Sequence, residues 1–190
     1  MTIEALLQTE AGMAVGDQVV VLLGDSIMAS NPRGWGGLGV VNLAVPGATI
    51  AGIISVQLPQ LLALNPAQIK LVCFMAGTND IACLMNGTET IAQFQTSLNQ
   101  LVTTILGVIP AGKVWAWSPP ACGGGTTEPT VAAIQDCYSA SCSPNGIEVF
   151  TLDGVFQQQS TPAENWYYTD GVHWSRYAWA YILPIADSLI

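Results

Sequence analysis

The chain has 190 residues, 51% of them hydrophobic and only 9% charged, with 13 acidic against four basic residues and a formal net charge of −9. That length fits one domain, residues 1–190, which on folding buries roughly 70% of its unfolded surface around a single core. The four bases, Arg33, Lys70, Lys113 and Arg176, are too few to track phosphates, which argues against nucleic acid and anionic membranes as partners; no apolar run nears the roughly 20 residues of a bilayer span, so no membrane insertion is expected.

From the N-terminus, the first seventeen residues carry Glu4, Glu10 and Asp17 but no Lys or Arg, unlike the cationic start of a signal peptide. The expectation is a chain that stays inside the cell, is exported by another route, or has lost a leader. Five runs then read as strands: Gln18 to Leu23, Val40 to Ala44, Ile69 to Met75, Lys113 to Ser118 and Ile147 to Leu152. Most are continuously apolar and rich in Val and Ile, the pattern of strands covered on both faces. Between them lie helical patterns. Thr49 to Leu64 is one, interrupted or kinked near Pro59. Thr90 to Ile109 is the clearest, with Ile91, Phe94, Leu98, Leu101, Val102, Ile105 and Ile109 at three- and four-residue steps and Thr90 with Gln93 as a cap. Pro129 to Ser139 and Ser175 to Ile190 complete the set. Alternating strands and helices predict an α/β fold, a three-layer α/β/α domain with a five-stranded parallel sheet whose carboxyl ends form the functional edge. The loop from Ser118 to Thr130, rich in Pro and Gly, lies beside that edge.

The five cysteines form no Cys-x-x-Cys pair, and His173 is the only histidine, so no structural zinc and no other metal is expected. Cys73 reads as a core residue, whereas Cys122, Cys137 and Cys142 flank a polar region and could form one disulfide. Two nucleotide-binding patterns fail on context. Gly34 to Gly39 spells G-x-G-x-x-G but precedes a strand, and Gly107 to Lys113 resembles a phosphate loop yet lacks the Ser or Thr after the lysine. The nucleophile elbow G-x-S-x-G is absent.

What remains is Gly24-Asp25-Ser26, where the first strand stops abruptly. A turn uses those residues for punctuation, but a hydroxyl there also sits where open α/β sheets place their ligands. A hydrolytic serine needs a base, an acid to orient that base, and donors for the developing oxyanion. His173 is the one imidazole, three residues after Asp170 with Gly171 allowing a tight turn between them, although a lone histidine is more often structural. Gly47 in "NLAVPGAT" offers a backbone N–H, and Asn79 in "FMAGTNDIA" a side-chain amide. Each follows a successive strand, so their loops meet at one edge.

These residues give the chain a resemblance to the SGNH or GDSL-type hydrolases. Gly24-Asp25-Ser26 is followed by Ile27 in place of the usual leucine, then Gly47, then Gly77-Thr78-Asn79-Asp80, then Asp170-Gly171-Val172-His173, in the family's order over almost the whole chain. The resemblance implies a flavodoxin-like sheet of order 2-1-3-4-5, Ser26 as nucleophile with His173 and Asp170, and an oxyanion hole from the Ser26 and Gly47 N–H groups and the Asn79 amide. It implies ester hydrolysis without a cofactor, with Asp25 supporting the turn. Trp174 departs from the pattern, since many relatives carry a small residue or proline there.

Six tryptophans are many for this length, and Trp35 and Trp174 near the motif segments are candidate stacking surfaces for sugar rings, with core packing as the plainer use of any one of them. Small relatives with Gly-Trp after the nucleophile resemble carbohydrate acetylesterases. The expected substrate is therefore a small-molecule or glycan ester, first a carbohydrate O-acetyl ester. The alternatives are a lipid or acyl-thioester substrate and a non-catalytic glycan-binding domain.

Overall fold

Val19–Leu23 (β1), Ile69–Met75 (β3) and Val114–Ser118 (β4) lie side by side as the central strands of a parallel sheet, flanked by Gly39–Asn42 (β2) and Glu148–Thr151 (β5). The order is β2-β1-β3-β4-β5, as the resemblance implies. The computed structural model describes residues 18–31, 35, 37–120, 128–151, 178–180, 182 and 184.

Continuous apolar runs make these strands because alternate residues enter two separate cores. Val19, Val21 and Leu23 of β1, Val72 and Phe74 of β3, and Val114 and Ala116 of β4 face one of them. Val20, Leu22, Leu71, Cys73, Met75, Trp115 and Trp117 face the other. A register shift between Val19 and Val20, where the partner jumps from Ile69 to Leu71, passes over Lys70.

The first core is closed by an interrupted helix over residues 50–62, by Ile91–Leu106 and by Glu128–Cys142. The second is closed by the short helix Ser26–Ala29, by Trp35, and by Ala178, Trp179 and Ile182 of the C-terminal helical segment. In chain order the helices are α1 (Ser26–Ala29), α2 (Ile50–Gly52), α3 (Leu58–Leu62), α4 (Asp80–Met85), α5 (Ile91–Leu106) and α6 (Glu128–Cys142). The connections after β2, β3 and β4 all step one way across the sheet and carry their helices on one face. The β1–β2 connection steps the other way and carries α1 on the opposite face. A right-handed crossover rule requires this, and it puts the switch of direction between β1 and β3.

Thr90 and Gln93 form the expected capping box at the start of α5. The interruption in residues 50–62 is a π turn, Ile53–Gln57, and Pro59 follows it directly in the same continuous helical run, where a proline has no N–H to give the preceding turn. The disulfide expectation is corrected. Cys137 and Cys142 are free thiols, both buried on the inner side of α6 in the first core, and Cys122 lies outside the described residues. Burial pushes the Cys142 thiol up to about 12. No described helix is long and apolar enough to cross a membrane.

Candidate active site

At the carboxyl end of β1 the backbone turns on Gly24, whose φ of +154° side-chain-bearing residues rarely adopt. A Cβ there would come within 2.7 Å of Met28 Cγ and 2.8 Å of the Met75 carbonyl oxygen. Asp25, fully buried, caps α1 by accepting the Ile27 N–H on Oδ1 at 2.8 Å. Ser26 is thereby fixed as the first residue of the helix, half-buried at the surface of the edge. The C-terminal end of α1 is held by Asn42 of β2, whose Nδ2 donates to the Met28 carbonyl at 3.1 Å.

The turn after β2 is tied to the first. Val45 N–H donates to the Gly24 carbonyl at 3.1 Å, and Ala48 N–H closes a turn on the Val45 carbonyl at 3.1 Å. Gly47 stands at its tip with φ +78°, exposed, with nothing within 4 Å of where a Cβ would be. Its N–H meets no acceptor among the described residues. The loop after β3 is bound to the same turn: Asn79 Nδ2 donates to the Ala48 carbonyl at 2.9 Å, and the Asp80 carboxylate accepts the Ile50 N–H at 3.1 and 3.2 Å. One primary amide N–H of Asn79 is thus committed to Ala48, which orients the group and leaves its second N–H for another acceptor.

Hydrogen bonds therefore run without a break from the Ser26 turn through the Gly47 turn to Asn79. Asp80, buried, has its carboxyl raised from 3.8 to about 6. Burial is the main cause, the Ile50 N–H opposes it, and the nearby Glu89 carboxyl adds to it. Glu89, which hydrogen-bonds to Asp80, is itself raised by partial burial.

Two further side chains hold the loop bases. Gln57 accepts the Gly24 N–H on Oε1 at 2.8 Å and donates from Nε2 to the Gly24 carbonyl at 2.8 Å. The Tyr138 hydroxyl accepts the Ala76 N–H at 2.7 Å and donates to the Ala76 carbonyl at 2.9 Å. Sequence reasoning did not single out either, but a signal existed. Gln57 interrupts the apolar stripe Ile50, Ile53, Leu61, and Tyr138 sits in the stripe Val131, Ile134, Cys142. A polar atom on a buried face needs a partner.

Trp35 is corrected. It is fully buried in the second core, stacked on Trp117 with ring centroids 5.5 Å apart, and its Nε1 donates to Asn31 Oδ1. A ring enclosed in this way packs the core and offers no face to a sugar. Asp170, His173 and Trp174 lie outside the described residues. Trp179, six residues after His173, is described, and its Nε1 donates to Ser30 Oγ at 3.2 Å, next to the end of α1. Among the described residues no group of three or more His, Cys, Asp or Glu side chains is placed to hold a metal ion.

The model of the GDSL-like Lipase/Acylhydrolase family matches residues 22–177. No curated protein matches the sequence. Among solved structures, an acetyl xylan esterase, AlAXEase, is similar with a TM-score of 0.74 at 14% identity, over 90% of this chain and 99% of its own. A catalytic mutant of Axe2, an acetylxylan esterase from Geobacillus stearothermophilus, gives 0.68 at 18% identity, over 92% and 94%. TesA gives 0.66 at 24% identity, over 91% and 100%. At these identities the likeness is one of fold.

Proposed function

The chain belongs to the GDSL-like Lipase/Acylhydrolase family, and from that premise we propose that it is a serine esterase using Ser26, His173 and Asp170, with a carbohydrate O-acetyl ester as first substrate. The observation that carries the proposal is the hydrogen-bonded edge itself. A hydroxyl at the start of α1, a Gly47 N–H with no described acceptor and an oriented Asn79 amide are joined through Gly24, Val45 and Ala48.

In the proposed reaction Ser26 Oγ attacks the ester carbonyl while His173 takes its proton. Charge that develops on the carbonyl oxygen is met by the N–H groups of Ser26 and Gly47 and by the remaining Asn79 N–H. Collapse expels the alcohol with the proton from His173, leaving an acyl-serine. A water, deprotonated by the same imidazole, then releases the acid. Asp170 holds the ring in the tautomer that faces Ser26. The docking of Trp179 beside α1 supports these roles, because it returns the chain to the helix that Ser26 begins only six residues beyond His173.

For the acyl group, the likeness to two acetylxylan esterases supports acetate. A second reading, a longer acyl chain, is favoured by Val45, a 42% exposed apolar side chain two residues from Gly47. The test is labelling with a fluorophosphonate followed by peptide mapping, alongside hydrolysis of p-nitrophenyl acetate, p-nitrophenyl octanoate and an acetylated polysaccharide. Label is expected on Ser26, and Ser26→Ala should abolish turnover without unfolding the protein. Label elsewhere, or full activity in Ser26→Ala, overturns the assignment. Preference for octanoate would move the substrate to lipids or thioesters, and glycan retention with no hydrolysis would make this a binding domain.

A further inference from the structure

The geometry points to Gln57 and Tyr138 as paired positioning residues, each of which replaces a missing strand neighbour at the end of β1 or β3 and so fixes the loop that carries Ser26 or Asn79. The inference rests on the esterase reading for its kinetic consequence and on hydrogen bonding alone for its structural one.

Pairing between β1 and β3 ends at Leu23 with Phe74, and pairing between β3 and β4 ends at Met75 with Trp117. The next residues, Gly24 and Ala76, are buried, so their N–H and C=O groups need partners; the Val45 N–H meets the Gly24 carbonyl from the β2 side, and the side toward β3 is left open. In both cases one side chain serves both groups of a single residue. A primary amide presents a donor and an acceptor side by side, as a peptide group does, and a phenol hydroxyl is donor and acceptor at one atom. Gln57 and Tyr138 are themselves fully buried and enter from the same face of the sheet, Gln57 from the π turn and Tyr138 from α6.

The consequence is positional. Gly24 lies two residues before Ser26 and Ala76 three before Asn79, which leaves little chain in which either loop could drift once these bonds are made. The π turn fits this purpose. Its extra residue turns Gln57 inward among apolar neighbours, whereas Val56 beside it is half exposed. Tyr138 is stiffened by stacking on Phe74, 5.9 Å away, and burial raises its phenol well above the usual value, so the hydroxyl keeps its proton and its donor role.

The test compares wild type with Gln57→Met and Tyr138→Phe, which keep side-chain volume and remove the bonds, and with Gln57→Glu, which when ionised keeps only the acceptor. Amide hydrogen exchange and steady-state kinetics are read together. Faster exchange confined to residues 24–29 in the Gln57 variants and to 76–81 in Tyr138→Phe is expected. With it, kcat should fall about 10- to 100-fold with KM within about twofold, because misplaced groups weaken the transition state more than substrate binding. In an Asn79→Ala background, Tyr138→Phe should have little further effect on kcat, since it acts through Asn79. A core role alone would give the same proportional loss in both backgrounds and overturns the inference, as does unchanged exchange in a folded variant. If the wild-type protein hydrolyses no ester, the esterase reading fails and the exchange pattern still decides the clamps.

Discussion

At the scale of the residue, the site depends most visibly on Gly24. Its φ and the 2.8 Å approach of the Met75 carbonyl leave no room for a Cβ, and a backbone carbonyl in the neighbouring strand cannot swing away as a side chain can. Gly24→Ala is expected to cost on the order of 1–3 kcal/mol in strain alone. It should also lower kcat, because the same residue holds the Val45 and Gln57 bonds that set the Ser26 turn. Urea denaturation and steady-state kinetics measure the two effects, and a variant equal to wild type in both would show that the turn tolerates a different path. By contrast Gly47, exposed at the tip of its turn, has open space where a Cβ would stand, so a substitution there is opposed by its φ of +78° and not by a neighbour.

At the scale of the element, Asp80 makes the loop after β3 sensitive to pH. Its carboxyl in the folded protein titrates near 6 against 3.8 for an ordinary one, chiefly because it is buried. The folded state thus holds this proton more tightly than the unfolded chain does. The stabilising contribution is complete below about pH 4 and is lost as pH rises through about 6. Asp80→Asn keeps an oxygen for the Ile50 N–H and has no proton to lose. The expected outcome is a smaller fall in thermal midpoint between about pH 4 and about pH 7 than in wild type. A residual slope from Glu89, shifted in the same direction, should persist. Equal slopes in the two proteins would remove Asp80 as the source. The elements themselves were largely legible in the sequence. Val19–Leu23, Ile69–Met75 and Val114–Ser118 read as strands because two cores demand apolar residues at consecutive positions, and α5 was read from its single apolar stripe. What escaped was set by tertiary contact. The helix Asp80–Met85 is too short to show a period, the π turn depends on where Gln57 finds its partner, and the one disulfide that cysteines flanking a polar region could form does not involve Cys137 or Cys142, both free on the inner side of α6. Ser26, Gly47 and Asn79 were legible as candidates because each sits where an apolar strand gives way to turn residues. Gln57 and Tyr138 were not, because their meaning lies in backbone groups 33 and 62 residues away.

At the scale of the whole molecule, the described residues cover the two faces of the sheet in different ways. The first core is closed by the helices over residues 50–62, α5 and α6, which all follow the strands that step in one direction. Among the described residues the second is closed by pieces far apart in sequence: α1, Trp35, and the helical segment with Ala178, Trp179 and Ile182. Trp179 joins these pieces, 3% exposed in the core and hydrogen-bonded through its indole N–H to Ser30. Removing its ring leaves a cavity under α1, so Trp179→Ala is expected to cost about 3–5 kcal/mol. Trp179→Phe keeps most of the apolar volume and loses the bond to Ser30, for roughly 1 kcal/mol from that bond. If the C-terminal segment also sets the path of the chain from Asp170 and His173 to Ser26, then Trp179→Ala should depress kcat more than Gly112→Ala does, Gly112 being an exposed position at the opposite end of β4 with open space for a Cβ. Urea midpoints and kcat for the three variants separate the two contributions. A Trp179→Ala protein within about 1 kcal/mol of wild type would mean that the second core closes without this helix. Full activity in a clearly destabilised Trp179→Ala protein would mean that the helix supports the fold and leaves the proposed base to be positioned by other contacts.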